Sequence, residues 1–300
     1  TVLAASRTLL ISQSSILAAI SAAEAEIGSR IFERFPAKGM RLTEAGLSFV
    51  SAASALLAAE IEFVRGISVT GDRVPPVLRI GCFEPLGSLL MPEMLRLYAD
   101  RFENVEINLF EGNQAQLREW LSAGLIDLAV LYEVNLPPSF TITRICHVPP
   151  HAVLHSSDPL AQRGSVTVAD LGTRKFVLLD MPETAPSLLA SFDTLAAPPP
   201  VSFRTQSYEA VLSAVAAGFG ASILHLCPIS NAQADTRHIV QRPIEDRLPH
   251  QTLVIADTFG AMKPFFARTF VELFRKFFRD LESSRFTVAM QDQQGFLIDE

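Results

Sequence analysis

Residues 12–28 read SQSSILAAISAAEAEIG, a stretch with a helix boundary signal at each end. Ser12 is a favourable N-cap, and Gly28 suits the left-handed position just past a helix C-terminus. Apolar residues recur between them at spacings of four, three and four, which predicts one buried stripe of a helix. The stripe consists of Ile16, Ile20, Ala23 and Ile27. The opposite face carries Gln13, Ser14, Leu17, Ala18 and Ser21.

A shorter helix, predicted over residues 2–9, precedes this one across a turn at residues 10–11. Two helices joined in this way indicate a helix-turn-helix, whose second helix enters the major groove of DNA. Many helical proteins contain two short apolar helices, so the pattern needs support from its surroundings. Four basic residues that flank the turn-like tip at 36–39 provide it, because they suit phosphate contacts; these are Arg30, Arg34, Lys38 and Arg41.

The spacing of several short motifs resembles the winged helix-turn-helix of the LysR-type transcriptional regulators. The motifs are Ile11-Ser12-Gln13, Ile27-Gly28, Ile31-Phe32-Glu33-Arg34 and Arg41-Leu42-Thr43-Glu44-Ala45-Gly46. The resemblance implies a DNA-binding domain over residues 1–46, with a first helix that begins before residue 1. The implied DNA-binding residues are Gln13, Ser14, Ser15, Leu17, Ala18, Arg30, Arg34, Lys38 and Arg41. Two features differ from the family pattern: Ser14 replaces the usual proline, and residues 1–46 hold only five basic groups against four acidic ones.

Residues 47–67 are predicted to form a second long helix. A largely apolar seam with alternating spacings of three and four, as at the a and d positions of a heptad, is typical of a short coiled coil and favours dimerisation. The seam consists of Leu47, Val50, Ser54, Leu57, Ile61 and Val64. The alternative is a helix that packs on its own domain. Glycine and a proline pair in residues 68–76 indicate a hinge, so residues 47–76 are interpreted as the linker of the resembling family.

Composition limits the class of protein. Three hundred residues with 49% hydrophobic content support two or three globular domains. The net charge of −7 requires any DNA contact to be local. Three widely spaced cysteines fit reduced core thiols better than disulfides or a metal site. Without an apolar run of membrane length or an apolar leader, we expect a cytoplasmic protein that does not bind a membrane.

From residue 77 the pattern changes to alternating strands and helices, which predicts an α/β fold with helices on both faces of a parallel sheet. The alternation occurs twice, so residues 77–282 are predicted to form a two-lobed, Venus-flytrap domain like the periplasmic binding proteins. The first lobe is assigned to about 77–157 and 258–282, and the second to about 158–257. Residues 283–300 form a C-terminal extension without an assigned role.

A small-molecule effector is expected in the cleft between the lobes, because ligands of α/β sheets bind beyond the carboxyl ends of strands. The predicted effector-binding residues are Phe83, Glu84, Pro85, Leu86, Gly112, Asn113, Tyr132, Leu179, Asp180, Ser207 and Tyr208. In the resembling family the position of Pro85 is frequently Ser or Thr and contacts a carboxylate. Here Glu84 and Pro85 replace it, so we expect an amine-bearing effector that faces Glu84 between the rings of Phe83 and Tyr208.

No set of catalytic residues can be assembled from the sequence, so we expect neither an enzyme nor a cofactor. His147, His151 and His155 recur every four residues, but Pro149 and Pro150 exclude the helix that would bring them together on one face. The predicted function is a homodimeric or homotetrameric DNA-binding regulator of the LysR type that responds to an effector. The alternatives are a solute-binding protein and a sensing relative with impaired DNA binding.

Overall fold

The computed structural model describes residues 2–9, 11–35, 39–53, 56, 74–227, 238–281, 286–290 and 298. The chain divides into two compact units, Thr1–Gly66 and Ile67–Glu300, which are described separately. The predicted linker helix is described only over residues 44–53 and at 56, where Leu47 and Val50 are exposed. The rest of the predicted dimerisation seam, the hinge over 68–73 and most of the C-terminal extension lie outside the described residues.

The first unit consists of helices α1 (Val2–Leu9) and α2 (Gln13–Ile27), strands β1 (Phe32–Phe35) and β2 (Gly39–Leu42), and helix α3 (44–53). Both predicted ends of α2 are confirmed. The Ser12 hydroxyl accepts a hydrogen bond from the backbone N–H of Ser15 at 3.1 Å, and Gly28 has a φ of 67°. The predicted stripe is only partly buried: Ile16, Ile20 and Ala23 are half-buried, whereas Ile27 is 38% exposed.

Strands β1 and β2 pair antiparallel and form the hairpin that a winged helix-turn-helix requires. The hairpin is tied to the helices on both sides by local hydrogen bonds. The Glu24 carboxylate accepts the backbone N–H of Ile31 at 2.8 Å, and the Thr43 hydroxyl donates to the carbonyl of Arg30 at 2.6 Å. The motif at residues 41–46 ends in glycine because a Cβ at Gly46 would lie 2.1 Å from the carbonyl oxygen of Ile31.

The first sheet of the second unit has the strand order β4-β3-β5-β12-β6. Its strands are β3 (Val77–Phe83), β4 (Glu106–Gly112), β5 (Leu128–Tyr132), β6 (Thr141–Val148) and β12 (Gln251–Asp257). Strand β3 is parallel to β4 and β5, whereas β12 is antiparallel to β5 and β6. The sheet is therefore mixed, and the prediction of a parallel sheet holds only for its first three strands.

Helices cover this first sheet: α4 (Glu84–Leu89), α5 (Met91–Arg101), α6 (Gln114–Ser122) and α10 (Phe265–Asp280). Helices α4 and α5 are separate, because the chain leaves helical geometry at Leu90 and Pro92 lies in the first turn of α5. Helix α6 begins with a capping box, in which Asn113 and Gln116 make reciprocal hydrogen bonds. Helix α10 buries a row of phenylalanine rings on one face, including Phe270 and Phe274.

The second lobe contains two sheets that are linked by an isolated bridge between residues 176 and 221. One is the parallel pair β8 (Phe176–Leu179) and β9 (Val201–Thr205); the other has the order β10-β7-β11. The strands of the latter are β7 (His151–His155), β10 (Ser222–Leu224) and β11 (Ile239–Pro243). The helices are α7 (Val168–Gly172), α8 (Thr184–Ala190) and α9 (Tyr208–Ala216), preceded by a 3₁₀ turn at Pro159–Gln162.

The predicted lobe limits need correction at both crossings. Strand β7 was assigned to the first lobe, but it lies in the middle of the second-lobe sheet. Strand β12 was assigned to the second lobe, but it pairs with β5 and β6 in the first. The chain therefore crosses from the first lobe to the second at Pro149–Pro150 and returns within residues 244–250. As a result, β7 belongs to the second lobe and β12 to the first, the reverse of the predicted assignment.

Candidate functional site

A cavity lies between the two lobes of the second unit. The first lobe contributes Phe83 at the end of β3, Pro85 in α4 and Tyr132 at the end of β5. The second lobe contributes the ends of β8 and β10 and the first turns of α8 and α9. The lining residues from the second lobe are Leu179, Thr184, Leu188, Tyr208, Leu224, His225 and Leu226. Strand ends from both lobes thus meet at one place, as expected for α/β sheets.

The cavity is narrow. It has about 330 Å³ of space between atoms out to its open mouth, but only about 30 Å³ can hold the centre of a water molecule. A cavity of that volume accommodates one or two water molecules. A larger ligand therefore requires the lobes or the lining side chains to move apart.

Five of the eleven predicted effector-binding residues line this cavity: Phe83, Pro85, Tyr132, Leu179 and Tyr208. Three others serve local structure. Asn113 and Ser207 cap helices α6 and α9, and Leu86 belongs to the hydrophobic core. Asp180 lies 3.5 Å from Arg204 in an ion pair, and Gly112 packs against the Trp120 ring, where a Cβ would come within 2.8 Å.

Glu84, the residue predicted to face a cationic effector, is exposed and does not belong to the cavity lining. Sequence reasoning missed five lining residues: Thr184, Leu188, Leu224, His225 and Leu226. Three of them, Leu224, His225 and Leu226, lie at the end of β10, so the rule that ligands bind at strand ends could have found them. Thr184 and Leu188 become part of the site only through the position of α8.

The cavity's polar groups are all uncharged. The Tyr208 hydroxyl donates to the carbonyl of Leu226 at 2.6 Å, and burial raises its pKa. Tyr132 and His225 have ring centroids 6.2 Å apart. Burial lowers the pKa of His225 to about 4, so this imidazole is neutral at physiological pH. Among the lining residues that the structure describes, none carries a charge.

Two side-chain links join the lobes at the edges of the cavity. Arg118 in α6 donates two hydrogen bonds to the Glu183 carboxylate, at 2.8 and 2.9 Å, and Asn135 adds a third at 3.2 Å. Glu183 directly precedes Thr184 and has a φ of 66°, a left-handed conformation that is unfavourable for a residue with a Cβ. On another edge, the Ser88 hydroxyl donates to Glu209 at 3.0 Å.

The three histidines spaced by four residues have separate surroundings. His147 contacts the ring of His250, and His155 stacks on His238. His151 is fully buried beside Cys227, with 3.8 Å between Nε2 and Sγ. Over the described ranges, no group of three or more His, Cys, Asp or Glu residues has an arrangement that could hold a metal ion.

In the first unit, the predicted base-reading residues lie at the start of α2. Gln13, Ser14, Ser15 and Ala18 are exposed, and Leu17 is half-buried. The Ser12 hydroxyl lies 2.7 Å from that of Ser14 and 2.8 Å from that of Ser15. Of the four predicted phosphate contacts, Arg30 and Arg41 are exposed, and Arg34 has its backbone in β1. Lys38 lies outside the described residues.

A winged helix-turn-helix in one unit and a two-lobed domain with an interlobe cavity in the other are the parts of a ligand-responsive DNA-binding protein. Residues 72–279 match the LysR substrate binding domain, and residues 1–47 match the bacterial regulatory helix-turn-helix proteins of the lysR family. The chain belongs to the LysR-type transcriptional regulators. It is therefore a transcription factor and not an enzyme, and it binds DNA, responds to a small-molecule effector and forms oligomers.

Individual relatives agree with this assignment. The chain is 30% identical to HinK, a LysR family transcriptional regulator from Pseudomonas aeruginosa, with a TM-score of 0.62 over 92% of each chain. It is 28% identical over 216 residues, 71% of each chain, to the hydrogen peroxide-inducible genes activator of Pectobacterium carotovorum subsp. carotovorum. The BenM effector binding domain, solved with its effector benzoate, shares the fold: its TM-score is 0.60 at 22% identity, over 68% of this chain and 92% of that one. In the described parts of the chain, no helix is both long and apolar enough to cross a membrane.

Proposed function

We propose that this regulator reads its effector through the interlobe cavity and acts in the cytoplasm, where its DNA target is. The observation that carries the proposal is the convergence of strand ends from both lobes on one cavity, with aromatic walls from Phe83, Tyr132 and Tyr208. A ligand that binds there can change the arrangement of the lobes only if it binds one arrangement more tightly than the other. Residues on both walls supply such a difference, because their separation changes as the cavity opens.

Thiol oxidation is a second way in which a regulator can sense its surroundings, and a relative of this chain is named for hydrogen peroxide. Peroxide reacts with the thiolate, which requires an accessible cysteine with a low pKa. All three cysteines of this chain, Cys82, Cys146 and Cys227, are buried, and burial raises the pKa of each thiol. These thiols favour sensing by the cavity over sensing by cysteine chemistry.

In DNA recognition, residues at the start of α2 contact the bases, and the basic residues around the hairpin contact the phosphates. Gln13 is exposed in the first turn of α2, where residues of a recognition helix reach base edges. Arg30 and Arg41 are exposed and flank the strands of the hairpin. The exposed Leu47 and Val50 support pairing of α3 between two subunits.

The test measures binding to DNA from just upstream of the protein's own coding region, by fluorescence anisotropy across a salt series. Arg41→Ala should weaken binding to all sequences alike and reduce the salt slope by about one, because one phosphate contact is lost. Gln13→Ala should instead relax discrimination at one base pair by ~1–3 kcal/mol. Arg96→Ala is the matched control, since it removes an exposed arginine from the second unit. An equal fall in salt slope for Arg41→Ala and Arg96→Ala would refute the phosphate contact.

A further inference from the structure

We propose that the effector is an uncharged, largely apolar small molecule with one or two hydrogen-bonding groups, such as a hydroxyl, carbonyl or amide, which His225, Tyr132 and Thr184 recognise. This inference rests on the proposed function, because it takes the interlobe cavity as the effector site. It replaces the amine-bearing effector that the sequence predicts. Three observations support it: the cavity's apolar walls, its uncharged polar groups and the lack of charge among the lining residues that the structure describes.

The walls are apolar on both sides. Phe83 and Pro85 form the first-lobe side, and leucines from four second-lobe positions face them; these are Leu179, Leu188, Leu224 and Leu226. Removing apolar surface from water on binding stabilises a complex. Most of the effector's surface should therefore be apolar.

Three polar side chains line the cavity with uncharged hydrogen-bonding groups: the Tyr132 hydroxyl, the Thr184 hydroxyl and the His225 imidazole. Tyr132 is 8% exposed and the other two are half-buried, so a ligand that fills the cavity would remove these groups from their remaining water. Buried polar groups are nearly always hydrogen-bonded in native proteins, so the ligand should supply partners to the groups that it shields. Tyr208 differs, because its hydroxyl already donates to the carbonyl of Leu226.

The carboxylates around the cavity do not belong to its lining. Glu183 is paired with Arg118, Asp180 with Arg204, and Glu209 accepts hydrogen bonds from the hydroxyls of Ser88 and Ser207. Because none of the lining residues that the structure describes carries a charge, a charged effector would lose its water there without a counter-charge in contact. The desolvation of an unpaired ion is strongly unfavourable.

The start of α9 does not provide a substitute for a cationic side chain. Its N-cap Ser207 already accepts the backbone N–H of Ala210 at 3.2 Å. Glu209 in the first turn places a negative charge at the positive end of the helix dipole. An anionic effector thus gains little from this helix.

His225 is the residue that should determine specificity. A neutral imidazole offers one donor and one acceptor nitrogen, so it can bind a carbonyl, a hydroxyl or both groups of an amide. It lies next to Leu224 and Leu226 at the end of β10, on the wall that faces Tyr132. A phenylalanine or leucine there would keep the apolar walls but remove this recognition.

The experiment compares ligands of equal shape and different charge at about pH 7.5, where a benzoate is anionic, a benzamide neutral and a benzylamine cationic. A second series of butanoate, butanamide and butylamine covers a smaller shape. Binding to the full chain is measured by thermal shift and isothermal titration. We expect the neutral member of a series to bind at least about tenfold more tightly than both charged members. Tighter binding of the anions, tighter binding of the amines, or no binding of any neutral member would overturn the proposal.

Variants test where the effector binds, independently of the chemical class to which it belongs. His225→Leu should weaken the neutral ligand by about 3- to 10-fold, in keeping with the loss of one hydrogen bond, and His225→Asn should restore part of the affinity. His238→Leu is the control, because His238 is exposed and does not line the cavity. Leu188→Trp fills the cavity, and Thr184→Leu does so more gently if the first variant fails to fold.

The outcomes are distinguishable. A neutral ligand that binds the filled variants as tightly as the wild type binds elsewhere, which refutes the cavity as the effector site. A charged ligand that binds the wild type most tightly and is lost in the filled variants refutes the inference about charge but supports the cavity as the site. Equal affinity of wild type and His225→Leu for the neutral ligand removes His225 from recognition.

Discussion

Replacing His151 with leucine should make the protein less sensitive to acid. His151 is the first residue of β7, the middle strand of the second-lobe sheet; it is fully buried, and its Nδ1 has no hydrogen-bond partner among the described residues. Burial lowers the pKa of His151 to about 3 in the folded chain, whereas an unfolded histidine titrates near pH ~6.5. Only the unfolded state therefore takes up a proton as the pH falls below about 6.5.

The magnitude follows from this difference in protonation. Stability is greatest above the unfolded pKa and falls as the pH drops towards the folded pKa of about 3. Between about pH 7.5 and about pH 5.5, one such histidine lowers the free energy of unfolding by ~1.4 kcal/mol. This loss of stability does not depend on the exact pKa of His151 in the folded chain, provided that the pKa lies well below the lower pH of the comparison. His225, whose pKa is lowered to about 4, contributes a similar amount that remains in the variant.

The assay is urea unfolding at several pH values, followed by the fluorescence of Trp120. Trp120 is the only tryptophan of the chain and lies in α6 of the second unit, so it reports on the unit that contains His151. The His151→Leu variant should lose ~1.4 kcal/mol less than the wild type over this pH range. The matched control is His238→Leu, which replaces an exposed histidine and leaves His151 in place. Identical pH dependence in His151→Leu and wild type would refute the argument.

Two further predictions concern the stability of the second unit. A double-mutant cycle of Arg118→Met and Glu183→Gln, measured by urea unfolding, should give a coupling energy of ~1–2 kcal/mol. The reason is that this bidentate ion pair is mostly shielded from solvent, with side-chain exposures of 18% and 24%. A coupling energy near zero would mean that solvent screens the pair fully. Gly220→Ala should destabilise by ~3 kcal/mol, since the new Cβ would lie 2.2 Å from the carbonyl oxygen of Lys175 at a φ of +153°. Gly164→Ala, where no atom lies within 4 Å, is its control, and equal melting temperatures of the two variants would show that the backbone relaxes without strain.

Features that depend on neighbouring residues could be predicted from the sequence. The ends of α2 follow from Ser12 and Gly28, and the capping box of α6 follows from Asn113 and Gln116. Gly218, just past the end of α9, has the left-handed φ of 81° that glycine adopts without strain. In each case the hydrogen bond or backbone angle involves residues a few positions apart, so the local sequence contains the information.

Features that depend on pairing between distant segments could not be predicted. A stretch such as QTLVIAD at 251–257 is apolar enough for the middle of either sheet, and only its pairing with β5 and β6 assigns it to the first lobe. The exposure of Ile27 shows the same limit, because a helical stripe indicates which side chains share a face but not how far that face is covered.

Local patterns are enough to predict the boundaries of the recognition helix, the alternation of strands and helices, and half of the cavity's lining, including the strand ends at Phe83, Tyr132 and Leu179. The chemistry of the cavity depends instead on tertiary packing. Packing leaves Glu84 exposed and places His225 and Thr184 among the lining residues, which makes the site neutral where the sequence suggested an anionic one. Helix caps and periodicity act over a few residues, whereas the packing of two lobes decides which side chains lose contact with water.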